Sequence, residues 1–323
     1  MSPRVRTVSY LVFLALALAA PYLVPAIRTQ MSFLWIMIIF ALTWDILGGQ
    51  MGYNSFGNVL FFGVGMYTCA LVQHHAGLGY YPGLFVGMAA GAAMAVAFAA
   101  VLGWGILGLR GHYFAIGTLG LGIAAAEFAG GWDYLGAGSG MVTPLYPGVV
   151  GARETFFYYL SFAVAVATFI TLRRIYRGRF RLAINAIRDD EDKAEAMGLH
   201  TTLYKTVAWG ISAFFLGLIG PVAGNLIGFI DPRDVAFASS SYGVWMLLMA
   251  ILGGKGTLWG PVIGAVVFHI TQELFWTYLL GWQRVALGLL IMLIVVFFPM
   301  GIMGWVRERW PERFGQRVDE GTK

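Results

Sequence analysis

Five ionisable residues fall inside long apolar runs of this 323-residue chain: Asp45, Glu127, His269, Glu273, and Arg284 at the start of the last run. Placing a charge in lipid costs about 2.5–3.5 kcal/mol on insertion scales, so such groups face a protein interior or a pathway. His269 and Glu273 stand four apart, on one helical face where side chains can meet. That spacing suits a proton relay or a structural polar pair, the latter extending to Arg284 nearby in sequence. A proton-coupled transporter would ordinarily need more polar residues at mid-depth, which favours the structural pair. Asp45 sits near the inner end of its run and Glu127 near the outer end, so both are expected to be partly hydrated.

Other chemistry is missing. Gly253-Gly254-Lys255-Gly256-Thr257 lacks the leading glycine and the Ser/Thr directly after Lys that a phosphate-binding loop requires, so ATP hydrolysis is not expected here. His74 and His75 are adjacent, without the spacing that ligates zinc. The single cysteine, Cys69, lies in an apolar segment and excludes disulfides and cysteine metal clusters. No catalytic residue, metal or cofactor is expected, and the chain reads as a non-enzyme.

The elements that must hold these residues are membrane helices. Hydrophobic residues make up 59% of the chain and charged ones 11%, against about 45–50% and about 25% in soluble domains. Backbone polar groups in lipid must bond within the protein, which leaves helices or closed barrels. Unbroken apolar stretches such as Val285 to Pro299 exclude the alternation of a barrel. The fold class is therefore an all-α integral membrane protein, a single transmembrane domain over 1–323.

Apolar runs and breakers place spans near 8–27, 31–48, 56–73, 83–108, 113–129, 156–173, 203–229, 239–253, 257–279 and 283–304. About ten spans, some partly re-entrant, put both termini on one side. With Arg4 and Arg6 in the cytoplasm, 17 of the 21 Lys and Arg residues lie inside, leaving only Arg28, Arg153, Arg233 and Arg284 outside. These cations set orientation, which argues against nucleic-acid binding. The span at 56–73 is interrupted by glycine and that at 239–253 is short, so either is a candidate broken helix. The first span resembles a signal peptide and reads as an uncleaved anchor.

Glycines four apart form stripes at Gly83, Gly87 and Gly91, at Gly220, Gly224 and Gly228, and at Gly256, Gly260 and Gly264. Such stripes let helix backbones approach closely, as functional or as generic membrane packing.

One segment breaks the apolar pattern. A charged loop at 174–203 carries a basic run from Arg173 to Arg181 and then the acidic cluster Asp189 to Asp192, and a basic tail follows at 305–323. Ile187, Glu191 and Ala194 recur at helical spacing, so one short cytoplasmic helix from Asn185 to Gly198 is expected. Both charge signs close together suit pairing with a partner subunit as well as they suit a solvated loop.

Resemblance shifts that balance. Arg188-Asp189-Asp190-Glu191, Ala194-Glu195-Ala196-Met197-Gly198, Tyr204-Lys205 and Ile211-Ser212-Ala213-Phe214 resemble the coupling loop of LivM-type permeases of branched-chain amino acid ABC importers. Ser55-Phe56-Gly57-Asn58, Phe61 to Thr68, and Leu252 to Gly264 agree, in the family's order. The resemblance implies a type II-like ABC importer permease in the bacterial inner membrane, without a cofactor. Its expected partners are a second homologous permease subunit, two ATP-binding subunits, a periplasmic binding protein and the lipid membrane.

It also implies that Ala186, Arg188, Asp189, Asp190, Glu191, Glu195, Ala196 and Gly198 carry the ATPase contact. The general importer pattern, Glu-Ala-Ala with Gly six positions after the Glu, is met in part by Asp192, Ala194 and Gly198, with Lys193 in place of the first Ala. Outer segments from Gly130 to Thr155, with Gly136, Gly138, Ser139 and Gly140, and from Asp231 to Ser239 are expected docking surfaces or ordinary connections. The expected cargo is branched-chain amino acids, with urea, short amides or aromatic acids as alternatives. An ion-coupled secondary transporter is the rival from a different class.

Overall fold

Apolar runs bounded by glycine, proline and polar clusters become helices almost everywhere the sequence marks them. The computed structural model describes residues 14–279, 281–297 and 301–309. Arg4, Arg6, the start of the first span and the tail beyond 309 therefore lie outside the described residues, as does the Arg284 side chain.

The helices are α1 (Leu14–Leu23), α2 (Arg28–Gly48), α3 (Val59–His75), α4 (Tyr80–Ile106), α5 (Gly111–Gly131), α6 (Val150–Ile175), α7 (Arg179–Asp189), α8 (Glu191–Ala196), α9 (Thr201–Ile227), α10 (Val244–Gly253), α11 (Gly260–Tyr278), α12 (Gln283–Phe297) and α13 (Gly301–Arg309). Six described helices are long and apolar enough to cross a membrane: Pro25–Gly48, Tyr80–Ile106, Gly111–Gly131, Val150–Ile175, Thr201–Ile227 and Pro232–Gly253. Among the described residues, six of the ten expected spans meet this test of length and composition.

Helix α2 forms the centre. Ile36 to Leu42 are nearly inaccessible, and α6, α9, α10 and α11 pack around it. A second knot joins α3, α4 and α9. A Cβ on Gly65 would lie 2.3 Å from the Gly217 carbonyl oxygen, and one on Gly217 would lie 2.5 Å from Ala95 Cβ. Backbones therefore touch where small residues meet, the packing that lipid favours because it supplies no hydrophobic drive between helices. A buried amide pair locks the same knot: Gln73 Nε2 donates to Asn225 Oδ1, and Asn225 Nδ2 donates to Gln73 Oε1, each at 3.1 Å.

The two weak spans resolve differently. Helix α3 has 17 residues, about 25 Å at 1.5 Å per residue, short of a hydrocarbon core of about 30 Å. Most of the non-helical stretch before it, Gly52 and Asn54 aside, is packed in protein, where its polar groups find partners. Trp44 Nε1 donates to the Ser55 carbonyl at 2.8 Å, Phe56 N to Thr118 Oγ1 at 3.1 Å, and Trp209 Nε1 to Asn58 Oδ1 at 3.1 Å. The span expected at 239–253 begins earlier, with wide π-helical turns at Pro232–Ala236 and Ser239–Gly243 ahead of α10. Asp231 Oδ1 starts that segment by accepting from the amides of Arg233 at 2.8 Å and Asp234 at 2.6 Å.

Contacts sort the polar groups into two ends. Arg153 donates to the carbonyls of Asn225 and Leu226 at the end of α9, and Arg233 pairs with Glu127 near the end of α5. A two-stranded ladder between β1 (Met141–Val142) and β2 (Phe229–Ile230) closes this end. Helices α7 and α8 occupy the opposite, charged end with the α2–α3, α4–α5 and α10–α11 connections.

Candidate coupling site at the charged end

The charged segment folds as two helices, correcting the single helix expected from Asn185 to Gly198. Asp190 breaks it: its backbone is extended, and its carboxylate accepts from the Lys193 amide at 3.0 Å, capping α8. An acceptor at this position satisfies an amide that has no partner within the helix. Helix α8 is stopped by Gly198, two residues past its end and in the left-handed region at φ +88°. The Leu199 amide donates to the Ala194 carbonyl at 3.1 Å and the Gly198 amide to the Glu195 carbonyl at 2.9 Å, the paired bonds of a Schellman stop.

The pattern Ile187, Glu191 and Ala194 does face inward, across the break. Ile187 and Ala194 are buried, and the Glu191 side chain is 10% exposed. Glu191 enters a polar node built from four parts of the chain. Its Oε1 lies 2.5 Å from Lys205 Nζ, on the first turns of α9, whose side chain is 3% exposed. Its other oxygen accepts from the hydroxyl of Tyr53, in the α2–α3 connection. Lys205 also donates to the Leu107 carbonyl, at the end of α4, at 2.8 Å and to Tyr53 Oη at 3.2 Å. Arg110, in the α4–α5 connection, reaches Glu191 at 3.6 Å, Asp192 at 2.6 Å and Glu195 at 3.9 Å.

The electrostatics fit this geometry. Burial pushes the Glu191 carboxyl up, but hydrogen bonds from Lys205 and Tyr53 and the Lys205 and Arg110 charges outweigh it and hold the group below its usual range. Burial pushes the Tyr53 hydroxyl up, reinforced by Glu191, so it stays a donor. A desolvated ion pair with its remaining atoms hydrogen-bonded is rigid, because losing either partner strands a buried charge.

The other expected contact residues lie outward. Arg188, Asp189, Glu195, Ala196 and Gly198 are exposed, and Ala186 and Asp190 are half-buried. Two apolar side chains stand beside them in solvent: Leu182 is 71% exposed and Met197 86%. Tyr53, Arg110 and Lys205 were missed as site residues from the sequence. A lone lysine in the second turn of an apolar helix, downstream of an acidic cluster, was the available signal.

The polar residues of the spans separate. Asp45 is fully buried rather than partly hydrated, because its Oδ1 accepts from the Gly256 amide at 2.7 Å and pins the α10–α11 connection to the end of α2. Glu127 is exposed and paired with Arg233 at 2.7 Å. His269 and Glu273 form no ion pair within 4 Å among the described residues. Instead His269 Nε2 meets the Gln30 carbonyl at 2.9 Å, an arrangement that a protonated Nε2 satisfies by donating, so the proton-relay pair is not assembled. No group of three His, Cys, Asp or Glu able to hold a metal ion occurs among the described residues.

Comparison with known proteins agrees with this architecture. The family described as "Branched-chain amino acid transport system / permease component" matches residues 27–298. The high-affinity branched-chain amino acid transport system permease protein LivM of Salmonella typhimurium (strain LT2) is 27% identical, across 95% of this chain and 77% of its own length. LivM of Escherichia coli (strain K12) is 28% identical across 91% and 74%. The permease protein LivH of the same strain is 27% identical across 48% of this chain and 52% of its own length. No solved structure matches the chain. With residues 27–298 inside the family match and two LivM proteins aligning across more than nine-tenths of this chain, the chain belongs to the branched-chain amino acid transport system permease family.

Proposed function

We propose that this chain is the LivM-like membrane subunit of an ATP-binding cassette importer, moving branched-chain amino acids inward by alternating access. Two ATP-binding subunits would bind α7 and α8 on the cytoplasmic face, which the basic-residue count assigns to the charged end. A second, LivH-like permease would complete the pathway, and a binding protein would deliver substrate to the opposite end. There the ladder of β1 and β2 joins the first expected docking segment to the residues just before the second, with Leu145 and Val149 largely exposed beside it.

The observation that carries this reading is the Glu191 node. The exposed face of α7 and α8 supplies Arg188, Asp189, Glu195 and Met197 to a partner, while the buried face is bolted to α9 and to the connections of α2–α3 and α4–α5. A force applied to α8 therefore moves several membrane helices together. ATP-driven closure of the partner would shift the population between two packings of the bundle, provided its affinity for the two differs.

Association with the ATPases tests it. The chain should co-purify with its ATP-binding subunits, and Asp189→Lys with Asp190→Lys and Glu195→Lys should abolish retention. Uptake by the chain alone in proteoliposomes, driven by an ion gradient without ATP, would sink the proposal.

A further inference from the structure

Beside the coupling helices, two cavities of about 240 Å³ each meet at Arg173, near the end of α6. The first is an apolar groove between α1, α2, α6 and α11, with Leu14, Trp35, Phe162, Phe169, Trp259 and Val262 on its walls. The second lies at the charged end and is polar, walled by Arg173, Arg177, Arg181, Gln50, Tyr176 and Thr257. An apolar trough ending in a cationic pocket has the polarity of a phospholipid, whose acyl chains are apolar and whose headgroup carries phosphate.

The polar pocket holds atoms that lack partners within the protein. Arg181 Nε and the Tyr176 hydroxyl are buried donors without an acceptor, and Gln50 Oε1 is a buried acceptor without a donor. Gln50 is 1% and Tyr176 9% exposed, so solvent does not readily serve them. Leaving such groups unpaired is costly, and a bound polar group relieves that cost. Neither Arg177 nor Arg181 makes an ion pair within 4 Å among the described residues. Asp45 lies behind the pocket with Oδ1 held by the Gly256 amide and is within electrostatic reach of Arg181, so this one carboxylate is set against the Arg177 and Arg181 guanidiniums.

We propose that an anionic phospholipid binds here, its phosphate on Arg177 and Arg181 and one acyl chain in the groove between α2, α6 and α11. The Tyr176 hydroxyl donates to the phosphate, and Gln50 Oε1 accepts from a headgroup hydroxyl such as that of phosphatidylglycerol. The lipid would brace α6, which leads directly into α7, against the α10–α11 connection. This goes beyond the transport reading and does not depend on which substrate is carried.

Native mass spectrometry of the full chain, released from vesicles of equal phosphatidylglycerol and phosphatidylethanolamine content, tests it. The expected result is preferential retention of phosphatidylglycerol, weakened about 30-fold in Arg177→Gln with Arg181→Gln, since each basic group near an anionic headgroup contributes about a fivefold factor. Arg177→Lys with Arg181→Lys should restore binding, which separates lost charge from lost fold. Ala165→Trp should block the groove and weaken retention as well. Equal retention of both lipids, or no response to the arginine changes, overturns the proposal. Displacement by inorganic phosphate together with indifference to Ala165→Trp would mean an anion pocket without a lipid. Loss of the lipid when the ATP-binding subunits are added would assign the cavity to a protein partner, and either result also overturns the proposal.

Discussion

Removing the Lys205 ammonium strands the Glu191 carboxylate in a site where its side chain is 10% exposed. Breaking a buried pair in this way costs about 3–5 kcal/mol, whereas replacing both partners with apolar groups is often close to neutral. Lys205→Met should therefore lower the unfolding free energy in detergent by about that amount, and Lys205→Met with Glu191→Leu should recover most of it. Exposed pairs behave differently: Glu127→Ala should change stability by less than about 1 kcal/mol, because the Arg233 pair is solvated. The node also sets a pH response. Glu191 is held below its ordinary value of 4.5, so its contribution is complete above that pH and is lost as pH falls through the lower folded value. Melting temperature should stay level from mildly acidic to neutral pH and drop below about 4.5, and Glu191→Gln should flatten that acid limb.

At the level of elements, small residues decide where helices cross and stop. Gly217 faces Ala95 Cβ at 2.5 Å and the Gly91 carbonyl at 2.8 Å from an added Cβ, so Gly217→Val should cost about 1–3 kcal/mol or more by overpacking. Gly105, also in a helix, has nothing within 4 Å, and Gly105→Ala should instead stabilise by about 0.5–1 kcal/mol through helix propensity. Thermal melts of the two variants should move in opposite directions. Gly198 is a third case, a helix stop in the left-handed region, where Gly198→Ala should cost about 1–2 kcal/mol and speed hydrogen exchange at the Leu199 amide. The stripes read from sequence thus divide: Gly87, Gly91 and Gly220 make close contacts, whereas Gly228 ends α9 and Gly256 turns the α10–α11 connection. Spacing alone does not distinguish these uses, because a crossing needs a partner helix and a stop needs a backbone angle.

For the molecule as a whole, the separation of ends is the property to measure. Cys69 is buried, so the native thiol should stay silent to a membrane-impermeant reagent. Met197, beside α7 and α8, and Leu145, beside the β1–β2 ladder, are both highly exposed positions for single cysteines. Met197→Cys should label only from the cytoplasmic side and Leu145→Cys only from the other. Labelling of both from one side would contradict the two-ended arrangement. The same arrangement explains why the ionisable residues of the spans are scattered: Asp45 fastens a connection, His269 meets the Gln30 carbonyl, and Glu127 faces solvent beside Arg233.

Composition and hydropathy by themselves determined that the chain is a helical membrane protein, because the bilayer permits few backbone solutions for long apolar runs. The alternation of basic residues then suggested which end carries the charged loop, and the motifs within that loop identified the family. Sequence also marked Ile187, Glu191 and Ala194 as one face, since local periodicity survives the break at Asp190. Only tertiary structure decided what that face meets. Tyr53, Leu107, Arg110, Glu191 and Lys205 come from widely separated positions, and an ion pair depends on distance in space, which helical spacing encodes only for near neighbours. The same limit explains His269 and Glu273: spacing put them on one face, but the backbone of α2 supplied the closer partner.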